Sequence, residues 1–201
     1  RTAFNQRHNV YIEGGDQQMR YGLGVNYTNI QGVMKESRRQ IMSGNLDLLY
    51  RKNKLSFNNK LTVDFNKTND PVVAFSEYSR ANPYYRKKNE SGGIDKWLET
   101  PYNPGASLGI QSSSIYVPNP LWNDALNSYN QGNSFGVRNN FNMEYRPLDF
   151  LYLRGRVGIS KSTSDKEIFR SPDDTSFDGM DVLKKGSYSD SRSEDFSYEG
   201  D

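Results

Sequence analysis

Read in steps of two, the chain sorts into two faces. Tyr21, Leu23, Val25 and Tyr27 are apolar, while Gly22, Gly24, Asn26 and Thr28 between them are small or polar, the pattern of a strand with one greasy face. Met42, Leu46, Leu48 and Tyr50 share a face with Gly44, opposite Ser43, Asn45 and Asp47, with Leu49 an exception on the polar side. The next segment sets Leu55, Phe57, Leu61, Val63 and Phe65 against Ser56, Asn58, Lys60, Thr62, Asp64 and Asn66, and only Asn59 breaks its apolar row. The pattern returns with Phe135, Val137, Phe141, Met143 and Tyr145 against Gly136, Arg138, Asn140, Asn142 and Glu144, then with Leu151, Leu153, Val157 and Ile159 against Tyr152, Arg154, Gly158 and Ser160. A weaker strand opens the chain. These periods predict six strands, near residues 9–14, 18–28, 39–51, 54–67, 134–146 and 150–161, with a long loop over 69–131 and a loop or tail over 162–201.

The connections alternate as well. Gly14-Gly15-Asp16, Arg51-Lys52-Asn53 and Arg146-Pro147-Leu148-Asp149 carry the residues that tight reversals need. Between them lie a moderate excursion from Asn29 to Ser37, a very long one from Asn69 to Gln131, and the stretch beyond Ser162. An all-β, antiparallel up-and-down barrel wall, with trim periplasmic turns on one rim and long extracellular loops on the other, has this order. Tyr21 and Tyr27, Phe57 and Phe65, and Phe135 and Tyr145 stand near the ends of their apolar faces, as the aromatic girdles of membrane barrels do. A sandwich core also accommodates aromatics there, so a soluble β-structure stays open on patterning alone.

Composition changes this picture only by exclusion. No run approaches the eighteen or so apolar residues of a membrane-spanning helix, and RTAFNQRHN is no signal peptide. The mean hydropathy of -0.89 therefore argues against helical membrane proteins, but not against a barrel, whose lumen-facing half is polar. The 201 residues contain no Cys, so no disulfide or thiolate site exists. A formal charge of +2, from 26 basic and 24 acidic residues spread along the chain, offers no patch for nucleic acid. In a barrel, Lys60, Asp64, Arg138, Glu144, Arg154 and Arg156 would face the lumen, because a charge facing lipid costs about 2–4 kcal/mol at the midplane. Alternation alone fits solvent-facing charges on a one-sided soluble sheet equally well.

Chemistry has no visible home. The single His8 has no Cys or second His with which to form a triad or zinc site, and no phosphate-binding glycine loop occurs. Asp174, Ser176, Asp178 and Gly179 match the opening of a calcium loop, but Lys185 stands where the closing bidentate Glu should be. No cofactor, metal or catalytic residue is expected. The 69–131 loop is rich in Pro, Gly, Asn and aromatics; Tyr84, Tyr85, Trp97, Tyr102 and Trp122 offer flat faces for a sugar or an extended peptide, or else pack the loop upon itself. A short helix is expected to start near Pro120.

RTAFNQRHNVYIEGG, followed by RYGLGVNYTNIQGVMK, resembles the start of the barrel in SusC/RagA-type TonB-dependent transporters of Bacteroidota, and NPLWNDALNSYN resembles that family's N-P-L-x-N long-loop segment. The resemblance reaches to about Ser160. It implies a 22-stranded outer-membrane barrel of a Gram-negative bacterium, embedded in outer-membrane lipid and holding a plug. A SusD-like lipoprotein lid and energy from the TonB complex, reached through a missing N-terminal region, would drive uptake of oligosaccharides or peptides. About six strands cannot close a membrane barrel, which needs eight, so the chain is expected to be a fragment from the N-terminal part of such a barrel. The main rival is a soluble β-rich module for glycan binding or adhesion. An enzyme lacks a constellation to support it.

Overall fold

The computed structural model describes residues 3–81, 84–98 and 117–201. They form two compact units: Arg1–Asp70 with Gln131–Glu167 and Asp190–Asp201, and Pro71–Asn130 with Ile168–Ser189. We call these the sheet unit and the loop unit.

Strands β1 (Gln6–Gly15), β2 (Met19–Gln31), β3 (Arg38–Lys52) and β4 (Leu55–Asp70) pair antiparallel in sequence order. The short strands β5 (Trp97–Leu98) and β6 (Val117–Pro118) make a separate ribbon, while β7 (Tyr129–Leu148), β8 (Leu151–Arg170) and β9 (Ser187–Gly200) extend the main sheet. The strand order is β1-β2-β3-β4-β7-β8-β9, an up-and-down meander that is open at β1 and β9 and has the form of a partial barrel. Short turns follow β1, β3 and β7, and the longer connections follow β2, β4 and β8. Antiparallel succession puts each set on its own rim.

Two features correct the sequence expectation. The sheet has seven strands rather than about six, and 162–201 is no tail, because β8 runs on to Arg170 and β9 spans Ser187–Gly200. Alternation hid β9, since the face that carries Phe196 and Tyr198 also carries Asp190, Arg192 and Glu194, opposite a run of serines. Lys161 to Glu194, at 2.6 Å, and Arg192 to Asp165, at 3.5 Å, hold this charged part of the ladder together.

The register sets like upon like. Ile12, Leu23, Leu46 and Leu61 fall opposite one another across four strands, with Val10, Val25, Gly44 and Val63 one pair further along. Aromatics bound this aliphatic band. Tyr50 stacks on Phe57 with ring centroids 5.1 Å apart and Phe57 meets Phe141 at 5.8 Å, while Phe65 meets Phe135 at 4.8 Å towards the other rim. From Leu55 to Phe65 the apolar row of β4 covers about 34 Å of strand, or about 26 Å along a barrel axis at a tilt of about 40°.

None of these side chains forms a core. Among the described residues the buried apolar side chains are Val73, Leu98 and Pro120, and all three belong to the loop unit. In the sheet unit Val10 is 60% exposed, Leu23 46% and Val157 49%, while Gly22 and Gly24 on the polar face are buried. A water-soluble sheet would show the reverse, with its apolar face packed.

The short turns are fixed locally. Gly15 holds φ 127°, where a Cβ would strike the Met19 carbonyl, and Asn53 takes φ 52° in the β3–β4 turn. The Asp16 carboxylate accepts the Gln18 and Met19 N–H groups at 2.7 and 2.8 Å, and these two bonds hold its pKa below the ordinary carboxylate range. A depressed carboxylate stabilises the turn above its unfolded pKa and ceases to do so as pH falls through the folded one. Asp16→Ala is therefore expected to speed amide exchange at Gln18 and Met19 at neutral pH, and acid below that range to have the same effect on the unmodified turn. Equal exchange in the variant and the parent would contradict the assignment.

Candidate functional site

Two regions hold the residues singled out by the sequence: the polar face of the sheet unit and the interior of the loop unit.

On the polar face, the register places Lys60 opposite Asp47 and Asp64 opposite Ser43, and the Lys60 ammonium lies 3.9 Å from the Asp47 carboxylate. Arg154 stands 3.7 Å from Glu144, and Arg156 Nε donates to Asn142 Oδ1 at 3.3 Å. Asn140 and Glu199 both approach Gly158, so the β7, β8 and β9 side chains of this parity share one side. Lys60, Asp64, Arg138, Glu144, Arg154 and Arg156 thus lie on a single face, opposite the apolar band. Tyr152 anchors its arginine-rich end, with the guanidinium carbons of Arg154 and Arg146 at 4.5 and 5.1 Å from its ring centroid. Lys54 Nζ closes the same end by donating to the Pro147 carbonyl at 2.7 Å, tying two neighbouring turns.

The apolar face holds one polar pair that sequence reasoning did not find. Asn59, the break in the β4 row, faces Asn139 of β7, and each amide donates to the other's oxygen, at 3.2 and 3.0 Å. The two amides satisfy one another within an otherwise apolar row. Nothing local signals this, because the partners are 80 residues apart.

The loop unit is organised by two buried asparagines of the NPLWN segment. Asn119 is fully buried; its Oδ1 caps helix α2 (Pro120–Ala125) by accepting Leu121 N–H at 3.1 Å, and its Nδ2 donates to the carbonyls of Lys87 at 3.1 Å and Asp95 at 2.7 Å. Asn123 reaches the second excursion: its Nδ2 donates to Thr175 Oγ1 at 2.8 Å and its Oδ1 accepts Thr175 N–H at 3.1 Å. Trp122 Nε1 donates to the Asp173 carbonyl at 3.2 Å. Helix α2 forms where expected; it buries Pro120 and Asn123, while Leu121 and Leu126 are half-buried and Ala125 is exposed. A second helix, α1 (Phe75–Arg80), carries Tyr78, whose hydroxyl is pushed up to about 12 by burial and by Asp124 beside it.

The described loop aromatics stand in different settings. Tyr84 is exposed, Tyr85 half-buried, Trp97 sits in the β5–β6 ribbon opposite Pro118, and Trp122 holds Asp173; Tyr102 lies outside the described residues. The calcium-like stretch has structural work instead. Buried Asp174 caps the turn at Thr175–Phe177 by accepting Ser176 N–H at 2.9 Å, and Asp178 pairs with Lys96 at 2.6 Å. Among the described residues no group of acidic or His side chains is arranged to hold a metal.

Asn123→Ala removes a partner from buried Thr175 and is expected to cost about 1–3 kcal/mol of loop-unit stability, read as faster proteolysis of 168–189. On the sheet, Asn59→Leu strands the Asn139 amide in an apolar row at a similar cost, and Asn59→Leu with Asn139→Leu together should recover most of it. Denaturant unfolding in micelles would measure this cycle, and additive losses would refute the pairing.

No family model and no curated protein matches the chain. Solved structures do. A structure of the RagAB peptide transporter superposes with a TM-score of 0.67 at 16% identity, covering 96% of this chain and 21% of that one. The RagAB peptide importer in its open-open state gives 0.64 at 17%, with 96% and 20% covered. Its closed-closed state gives 0.54 at 16%, with 96% and 21% covered. The chain thus spans about a fifth of the length of these transporter chains, and what it shares with them is the fold.

Proposed function

We propose that this chain is part of the wall of an outer-membrane transporter that imports peptides or oligosaccharides, working with a SusD-like lipoprotein partner and energy from the TonB complex. The observation that carries this reading is the apolar face of the sheet unit, an exposed to half-buried band interrupted only by the Asn59–Asn139 pair and bounded by aromatics and then by charge, in a unit with no large buried apolar side chain among those described. Exposed apolar area of this extent calls for something to cover it, and lipid around a barrel would do so. The likeness to RagAB chains supports transport and a two-component assembly, and peptides as the cargo, alongside the family resemblance of NPLWN.

In this reading the polar face, with Lys60, Asp64, Arg138, Glu144, Arg154 and Arg156, lines the lumen. The loop unit lies outside the cell, where Tyr84, Tyr85, Trp97, Tyr102 and Trp122 are candidates for contact with cargo or lid. Cargo moves without bond making, so no residue has a catalytic role. A soluble glycan-binding module would leave the apolar band in water.

Arginine substitution tests the two faces directly. Leu61→Arg, in the middle of the band, is expected to cost about 2–4 kcal/mol of stability in a bilayer, while Thr62→Arg on the other face costs little. The parent protein should fractionate with the outer membrane, need detergent for extraction and migrate differently when heated. Removing 71–130 should abolish uptake and lid binding. A parent protein that stays in the aqueous phase, or a loop deletion that changes neither property, would refute the corresponding part.

A further inference from the structure

On the apolar face of the sheet unit, the last rows before the long connections form a groove of about 300 Å³. Its floor is apolar: Met42 and Phe65 are each 51% exposed, and the Phe135 ring lies 4.8 Å from that of Phe65. Its rim is polar. Lys67 follows Phe65 on this face and stands opposite Gln40, whose Nε2 donates to the Tyr27 hydroxyl at 3.2 Å. Two residues from Gln40 on β3, Arg38 shares the face and stands opposite Asn69. Arg38 and Lys67 are therefore diagonal neighbours on adjacent strands, a placement that separates them by about 7–8 Å.

Both cations have donors to spare. The Lys67 ammonium makes no hydrogen bond or ion pair with the described residues. Arg38 gives only Nε, to Asn29 Oδ1 at 2.9 Å, which orients the guanidinium and leaves its terminal nitrogens available. The nearby carboxylates are already engaged. Asp165, in the lining of the groove, is met by Arg192 at 3.5 Å, and Glu167 accepts from Gln131 Nε2 at 2.8 Å. The groove thus joins an apolar floor to a cationic rim with no anion of its own left to fill it.

We infer that this groove holds the headgroup of a phosphorylated outer-leaflet lipid, with Arg38 and Lys67 donating to the phosphate while Met42, Phe65 and Phe135 meet the first methylenes of the acyl chains. The inference rests on the proposed barrel, in which this face meets lipid and the long connections lie outside the cell, and it adds a lipid site to that wall. The apolar row of β4 ends at Phe65, so Lys67, next in the row, stands where hydrocarbon gives way to headgroups. There its stem can cover the aromatic floor while the ammonium reaches a phosphate, and the Arg38 fork matches phosphate oxygens. Basic clusters at this depth recognise anionic headgroups. A neutral lipid would leave both cations without a counter-charge.

The test uses the full-length parent protein in detergent micelles, titrated with monophosphoryl lipid A or with the same lipid after dephosphorylation, the bound lipid being counted by native mass spectrometry. The phosphorylated lipid should bind at least about tenfold more tightly, the scale of one charge-assisted hydrogen bond gained. Arg38→Gln with Lys67→Gln should cut its affinity about tenfold and leave the dephosphorylated lipid unchanged. Lys184→Gln with Lys185→Gln, an equal loss of charge elsewhere, should change neither. Asn133→Lys, which adds a cation to the groove, should raise affinity for the phosphorylated lipid about threefold, a gain that a misfolded variant would not produce. Equal binding of the two lipids, a double variant at Arg38 and Lys67 that binds as the parent does, displacement of the lipid by inorganic phosphate, or a dimer that closes the groove against a second copy would each overturn the site and leave the barrel wall standing. A parent protein that is extracted without detergent would overturn both.

Discussion

The absence of a protein core beneath the apolar side of the main sheet is the constraint from which the rest of the structure follows. Burial of apolar area is the dominant favourable contribution to folding, and the sheet unit buries no large apolar side chain among its described residues. Its strands are held by backbone ladders and by side-chain rows such as Ile12-Leu23-Leu46-Leu61, each cross-strand pair contributing about 0.2–1 kcal/mol. In a bilayer such a ladder is obligatory, because no water is present to satisfy a free N–H or C=O. In the proposed barrel the same condition would account for the polar face, because charges and amides are tolerated only on the side away from hydrocarbon.

The loop unit answers the opposite problem. Among its described residues it has three buried apolar ones, Val73, Leu98 and Pro120, and a larger set of buried polar ones, among them Asn119, Asn123, Asp174 and Thr175. A segment this rich in Pro, Asn and Ser cannot assemble a large apolar interior, so hydrogen bonds from buried amides stand in for one, and nearly every partner is a backbone group or another buried side chain. Such networks specify one geometry, because each unmade bond leaves a desolvated group behind.

Legibility in the sequence followed the physics of each face. Strands β2 and β4 could be read because their apolar rows cross the whole band. Strand β9 could not, since most of its length carries charges and serines, and ladder pairing with β8, rather than side-chain alternation, makes it a strand. The six charged residues could be assigned to one face because a two-residue period fixes parity without knowledge of neighbours. Tyr152 was read as one polar-face residue among others; its role as a seat for Arg146 and Arg154 depends on rotamers that no spacing encodes. The NPLWN segment was noticed as a likeness alone, and the reason for its two asparagines appears only when Lys87, Asp95 and Thr175 are brought around them.

The Asn59–Asn139 pair bears on how the wall assembles. Strands β4 and β7 are neighbours in the sheet but are separated in sequence by the longest excursion, so their pairing is the least local in the meander and has no tight turn to set its alignment. A slip by two residues would keep the apolar side apolar and go unpunished by hydrophobicity. It would, however, change the separation at which the Asn59 and Asn139 amides exchange their two bonds. The pair therefore acts as an alignment key: it discriminates against the one kind of mispairing that a uniformly greasy ladder would accept, at the seam where the chain returns from its long detour.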